Sequence, residues 1–134
     1  MELSHAGGFL SLPLRPAYWE EMARRQTHAD EFRRIADRFP IGPETTVICQ
    51  SEPAIHFYRR AKVYDVPELG LGRSRPARAD YFVFDGGNYT GSCDYAGIDE
   101  IRNELAQDPD YRMFRYRNGV LIFARRSVLP PDFN

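Results

Sequence analysis

Residues 45–66 read "TTVICQSEPAIHFYRRAKVYDV", and the folding of this stretch decides the architecture. The short β-branched run from Thr45 to Gln50 is bounded by turn residues, the pattern of a strand buried on both faces. Ser51 or Glu52 then stands near a helix start, with Pro53 in a first-turn position, which predicts a short helix reaching Ala61. Lys62 to Val66 is a second short strand. Strand, helix and strand in that order predict a βαβ unit with parallel strands and a right-handed crossover.

Upstream, residues 1–16 mix glycine, proline and scattered apolar residues without a sustained period, so they read as an extended lead-in. Pro16 suits the first turn of a short helix through "AYWEEMARRQ". A stronger helix follows, with Thr27 or Asp30 as caps and Phe32, Ile35, Ala36 and Phe39 on one face. Pro40 and the following "IGP" end it. This divides the chain into residues 1–26, a lead-in with a short helix, and residues 27–134, a single α/β domain.

Downstream, a loop rich in glycine, proline and arginine leads to "DYFVFD" (80–85), a third strand. A polar, glycine-rich segment then opens into a helix on which Ile98, Ile101 and Leu105 share a face, closed by Asp108 and Pro109. The arms "YRMFRYR" and "GVLIFARR" meet at Asn118-Gly119, which predicts a two-residue hairpin turn with positive φ at both positions. Two prolines in "SVLPPDFN" keep the tail out of the strand. The fold class is α/β: a small mixed sheet, parallel central strands, a C-terminal antiparallel hairpin and helices packed on the sheet. Phe32, Ile35, Phe39, Val47, Ile48, Val63, Phe82, Val83, Ile101, Leu105, Leu121 and Phe123 are its expected core.

With 134 residues, one core suffices, and neither a metal nor a disulfide is needed for folding. Eighteen basic side chains balance nineteen acidic ones, so no overall field exists to hold a polyanion, and nucleic acid is not an expected partner. No stretch reaches the roughly 18 uninterrupted apolar residues of a membrane span. Cys49 and Cys93 lack the close spacing of a zinc knuckle or redox motif. Cys49, inside an apolar run, reads as a buried free thiol, while a disulfide would require Cys93 to fold back over that strand.

In open parallel sheets, ligands sit beyond the carboxyl ends of the strands. Those ends present Gln50, Ser51 and Glu52 after the first strand, and Asp85, Gly86, Gly87 and Asn88 after the third. These are the candidate ligand-binding residues, for a small sugar or nucleotide whose hydroxyls Asp85 would accept from. A strand-ending acid with a turn explains "DGGN" equally, since it is neither G-x-G-x-x-G nor a P-loop. His5, His28 and His56 fall in no ligand spacing, and no cysteine has a histidine partner legible in the sequence. No catalytic residue, metal ligand or cofactor is assigned.

Taken together, "LSLPL", "RFPIGPETTVICQSEPAIHFYRRAKVYDVPELG", "ADYFVFD" and "YRMFRYRNGVLIFARR" resemble the C-terminal soluble region of a polytopic membrane-protein family of uncharacterised function. That family looks related to the GT-C glycosyltransferases, which use lipid-linked sugars. The resemblance covers most of the chain, although none of its motifs is specific alone. It implies a membrane-embedded portion of a larger protein as partner, a place on the extracytoplasmic face, and catalytic machinery in the membrane part, so that no catalytic residue maps onto this chain. The competing expectation is a free-standing cytoplasmic α/β protein binding a small sugar or nucleotide at the strand ends.

Overall fold

The computed structural model describes residues 15–49, 55–65, 78–86 and 96–134. The first helix, α1 (Pro16–Ala36), runs for 21 residues, with Pro16 at its opening turn and Arg33 and Arg34 in its last turn. Helix α1 corrects the expectation of two helices. Thr27 does not cap a second helix, because its hydroxyl donates to the Ala23 carbonyl within the same one (2.9 Å). Asp30 likewise accepts from the Gln26 side chain at 3.1 Å. The capping chemistry of both residues is satisfied along the helix surface, so nothing interrupts the ladder.

Strands β1 (Thr46–Cys49), β2 (Lys62–Asp65) and β3 (Tyr81–Asp85) are followed by α2 (Ala96–Gln107) and the arms β4 (Tyr111–Arg115) and β5 (Val120–Arg125). The sheet order is β2-β1-β3-β5-β4. β1 lies parallel to both β2 and β3, and β5 runs antiparallel between β3 and β4. The expected mixed α/β sheet with a C-terminal hairpin is therefore present. The connection between β1 and β2 differs from the sequence reading: residues 55–60 form turns, not helix. The backbone amides of Arg60 and Ala61 both donate to the Phe57 carbonyl (2.8 and 3.0 Å), and the Lys62 amide then reaches Thr45. Phe57, almost wholly buried, is set edge-on against Phe32 of α1 and anchors that turn.

Side chains alternate across the sheet and create two apolar layers. On the α1 side, Phe32, Ala36 and Phe39 pack with Val47, Cys49, Tyr81, Val83, Val120 and Ile122. On the α2 side, Ile98 and Leu105 pack with Ile48, Phe82, Phe84, Leu121 and Phe123. Among the expected core residues, Ile35, Val63 and Ile101 sit at the margins of these layers, partly buried. Sequence reasoning missed Phe133 of the tail, whose ring lies 5.0 Å from Phe39 and 5.5 Å from Phe114.

The hairpin turn is longer than "NG" suggested. Tyr116 donates to Val120, so Arg117, Asn118 and Gly119 form a three-residue loop. Gly119 alone takes positive φ (85°), and no described non-glycine residue does. Register explains the correction. Opposed residues of an antiparallel pair share a face, and Tyr116 opposite Val120 continues the pairing of Phe114 with Ile122. A two-residue turn would slip the register by one and move Phe114 and Tyr116 away from the α1-side layer they pack against.

Candidate functional site

The strand order reverses between β1 and β3: the chain leaves β1 toward one edge and leaves β3 toward the other. That is where an open α/β sheet has its crevice. Asp85 closes β3 at this point, on the same face as Tyr81 and Val83, and therefore toward α1. It is the one buried charged residue among the described residues.

Facing it is His28. On α1, His28 lies one turn before Phe32, so the burial of Phe32 brings the imidazole down onto the sheet end. Its Nε2 lies 2.8 Å from each Asp85 carboxylate oxygen. Carboxylate oxygens accept, so Nε2 is the donor to both. The pair is closed off from water, with side-chain exposures of 11% for His28 and 4% for Asp85. His56 stands nearby, its ring 4.8 Å from that of Phe32. Burial, reinforced by the positive charge of Arg33, holds the His56 imidazole below its usual pKa.

The sequence candidates divide accordingly. Asp85 occupies the expected strand end, but it has a side-chain partner in His28 where only backbone amides were anticipated. Gly86 donates its amide to the Gly119 carbonyl at 3.0 Å. A side chain at Gly86 would meet only an ordinary contact of 3.5 Å, so local space does not demand glycine there. Gln50, Ser51, Glu52, Gly87 and Asn88 lie outside the described residues, as do Cys93 and the lead-in through Leu14. Cys49 is buried in the α1-side layer. His28 had no signal in the linear sequence, since 57 positions separate it from Asp85.

Beside this pair, α1 and the hairpin loop form the walls of an open cleft of about 530 Å³, lined by Glu31, Arg34, Ile35, Tyr116, Arg117 and Asn118. Glu31 is three residues along α1 from His28, and Gly119 of the loop is bonded to Gly86, next to Asp85. Burial raises the Tyr116 phenol above its ordinary pKa, so it stays neutral there. Among the described residues no group of three or more histidine, cysteine, aspartate or glutamate side chains could hold a metal ion. No described helix is long and apolar enough to cross a membrane. No protein-family model, curated protein or solved structure matches the chain.

Proposed function

We propose that this chain is a non-catalytic accessory domain of a membrane-embedded protein of GT-C glycosyltransferase type, on the extracytoplasmic face, as its sequence resemblance implies. The observation that supports this reading is the outward half of α1. No residue of α1 before His28 is buried, and Trp19 and Met22, three residues apart on one side of the helix, are 59% and 43% exposed. A tryptophan and a methionine presented together suit contact with another polypeptide better than with water. The His28–Asp85 pair fits a non-catalytic domain as well, because both carboxylate oxygens are engaged and the pair is buried.

Two measurements test the reading together. The native reading frame upstream of the Met1 codon should encode several apolar stretches of at least about 18 residues. A photo-crosslinking residue at position 19 of the native protein should form an adduct with membrane-embedded polypeptide. A frame without such stretches, joined to the absence of any membrane adduct, would overturn the assignment.

A second reading is favoured by a separate observation: Asp85 closes β3, beside the point where the strand order reverses. It makes the chain a free-standing cytoplasmic protein that binds a small sugar or nucleotide there. Soluble protein with no membrane adduct, together with saturable ligand binding, would select this reading over the first.

A further inference from the structure

Residues 130–134 lie over the α1-side layer without joining the sheet. After β5 the backbone is anchored at Arg126, whose amide donates to the Asp110 carbonyl at 2.8 Å and whose Nε donates to the Pro109 carbonyl at 2.9 Å. Beyond it, the Leu129 amide returns to Arg126 and the Phe133 amide to Pro130, so the segment bonds to itself, and its two prolines bring no donor. Past Leu129, one ring and two carbonyls fasten it to the body. Phe133 packs against Phe39, just after α1, and Phe114 of β4, whose own rings are 5.2 Å apart. Arg112 Nη1 donates to the Phe133 carbonyl and Arg38 Nη2 to the Asn134 carbonyl, each at 2.6 Å. Two guanidinium groups from separate elements thus converge on consecutive carbonyls. Neither has a carboxylate partner among the described residues, in contrast to Arg60 with Asp37 and Arg125 with Asp80. Arg112 has besides only the face of the Phe114 ring, 4.7 Å away.

We infer that this groove is a docking site for a partner peptide ending in an aromatic residue with a free carboxylate, and that residues 130–134 are its intramolecular competitor. The ring of such a peptide takes the place of Phe133 between Phe39 and Phe114. Its carboxylate takes the place of the Phe133 carbonyl, where Arg112 already donates, with Arg38 one carbonyl farther along. Charge decides for a carboxylate. A neutral carbonyl leaves both cations uncompensated, whereas a carboxylate pairs with a guanidinium fork through two oxygens and neutralises it. Capture of a chain end by such groups beside a pocket for its side chain is a recurring mode of peptide recognition. Releasing residues 130–134 breaks no rung of the sheet, because the ladder of β4 and β5 ends before them. While attached, they compete at an effective concentration in the millimolar range, as a short tether sets it. The inference goes beyond the membrane-partner reading: the groove uses neither Trp19 nor Met22, and its test needs no membrane.

Calorimetric titration with two synthetic peptides tests it: acetyl-Leu-Pro-Pro-Asp-Phe with a free terminal carboxylate, and the same peptide as its terminal amide. The full chain carrying Phe133→Ala loses the competing ring and should bind the free-carboxylate peptide about tenfold more tightly than the wild type does. The amide should bind this variant about tenfold more weakly than the carboxylate. Adding Arg112→Met or Arg38→Met should weaken carboxylate binding by about tenfold each. Arg115→Met, on the α2 side of β4, should change nothing. In the wild type, excess carboxylate peptide should shift the Phe133 ring resonances as its segment is displaced, a readout that needs no variant to fold. Equal affinity for the carboxylate and the amide would overturn the carboxylate assignment. Absence of saturable binding to Phe133→Ala below about 1 mM, or wild-type Phe133 resonances unmoved by the peptide, would overturn the site itself. A wild-type dimer in sedimentation, lost in Phe133→Ala, would place residues 130–134 of a second copy in the groove and overturn the partner assignment.

Discussion

Strand β3 is bracketed by two aspartates that the protein uses in opposite ways. Asp80, at the entry, is tied to its neighbours in the sheet. Its Oδ2 accepts from the Thr46 amide and hydroxyl, its own amide donates to the Thr46 hydroxyl, and its Oδ1 lies 3.4 Å from Arg125. Asp85, at the exit, is instead held across the layers by a histidine of α1. The entry acid fixes strand against strand, whereas the exit acid fixes helix against sheet, at the end where ligands are expected. A substitution at one should therefore disturb register, and at the other helix docking.

The largest effect belongs to the exit. Asp85→Ala leaves the buried His28 ring without its carboxylate and should cost about 3 kcal/mol or more in denaturant unfolding. Hydrogen exchange should quicken across the second half of α1, while amides of β1 and β5 next to Asp80 remain protected. Asp80→Ala should cost less, about 1–3 kcal/mol, because Thr46 and Arg125 are less buried and can recruit water. Its exchange signature should be the reverse, with loosening at the start of β1 and the end of β5. Identical exchange patterns for the two variants would break the distinction between them.

Less of this exit was legible in the sequence than of the sheet that carries it. The strands stood out because "TTVIC", "YFVFD" and "VLIFA" are short apolar runs between turn residues, and burial on both faces is what such runs encode. Asp85 was legible as the acid that ends one of them. His28 was not, because its partner is reached only through tertiary packing, and because Thr27 beside it carries the residue type of a helix cap. The turn at 55–60 was also hidden: Pro53 and the residues before it look like a helix start, while the burial of Phe57 determines the path taken. In the hairpin, "NG" favours a two-residue turn locally, and the face requirement of Phe114 and Tyr116 overrides it.

The hairpin sharpens the comparison, since the Gly119 carbonyl receives the amide of Gly86 immediately after Asp85. Gly119→Val places a β-branched residue at a φ of 85° and should destabilise by about 1–2 kcal/mol. The chemical shifts of His28 should move with it, and those around Asp80 should not. If only hairpin signals change, the exit is independent of the loop.

The smallest expected effect is a pH dependence at His56. Burial lowers its folded pKa from 6.5, with Arg33 adding to the shift and Asp37 and Asp85 opposing it. The unfolded chain therefore takes up the proton first. The associated stability is complete above 6.5 and is lost as pH falls from that value toward the lower folded one. The wild-type melting temperature should accordingly drop more than that of His56→Phe between about pH 7 and pH 5. Parallel curves would show that His56 makes no such contribution.

The contact between His28 and Asp85 is the claim on which the account of the exit rests, and a double-mutant cycle measures it directly. Stabilities of the wild type, His28→Ala, Asp85→Ala and the double variant are compared by urea unfolding. A coupling of about 1–3 kcal/mol is expected, with the double variant costing less than the sum of the single ones. Additivity within about 0.5 kcal/mol would mean that the two side chains do not hold each other, and that α1 is docked on the sheet by its apolar face alone.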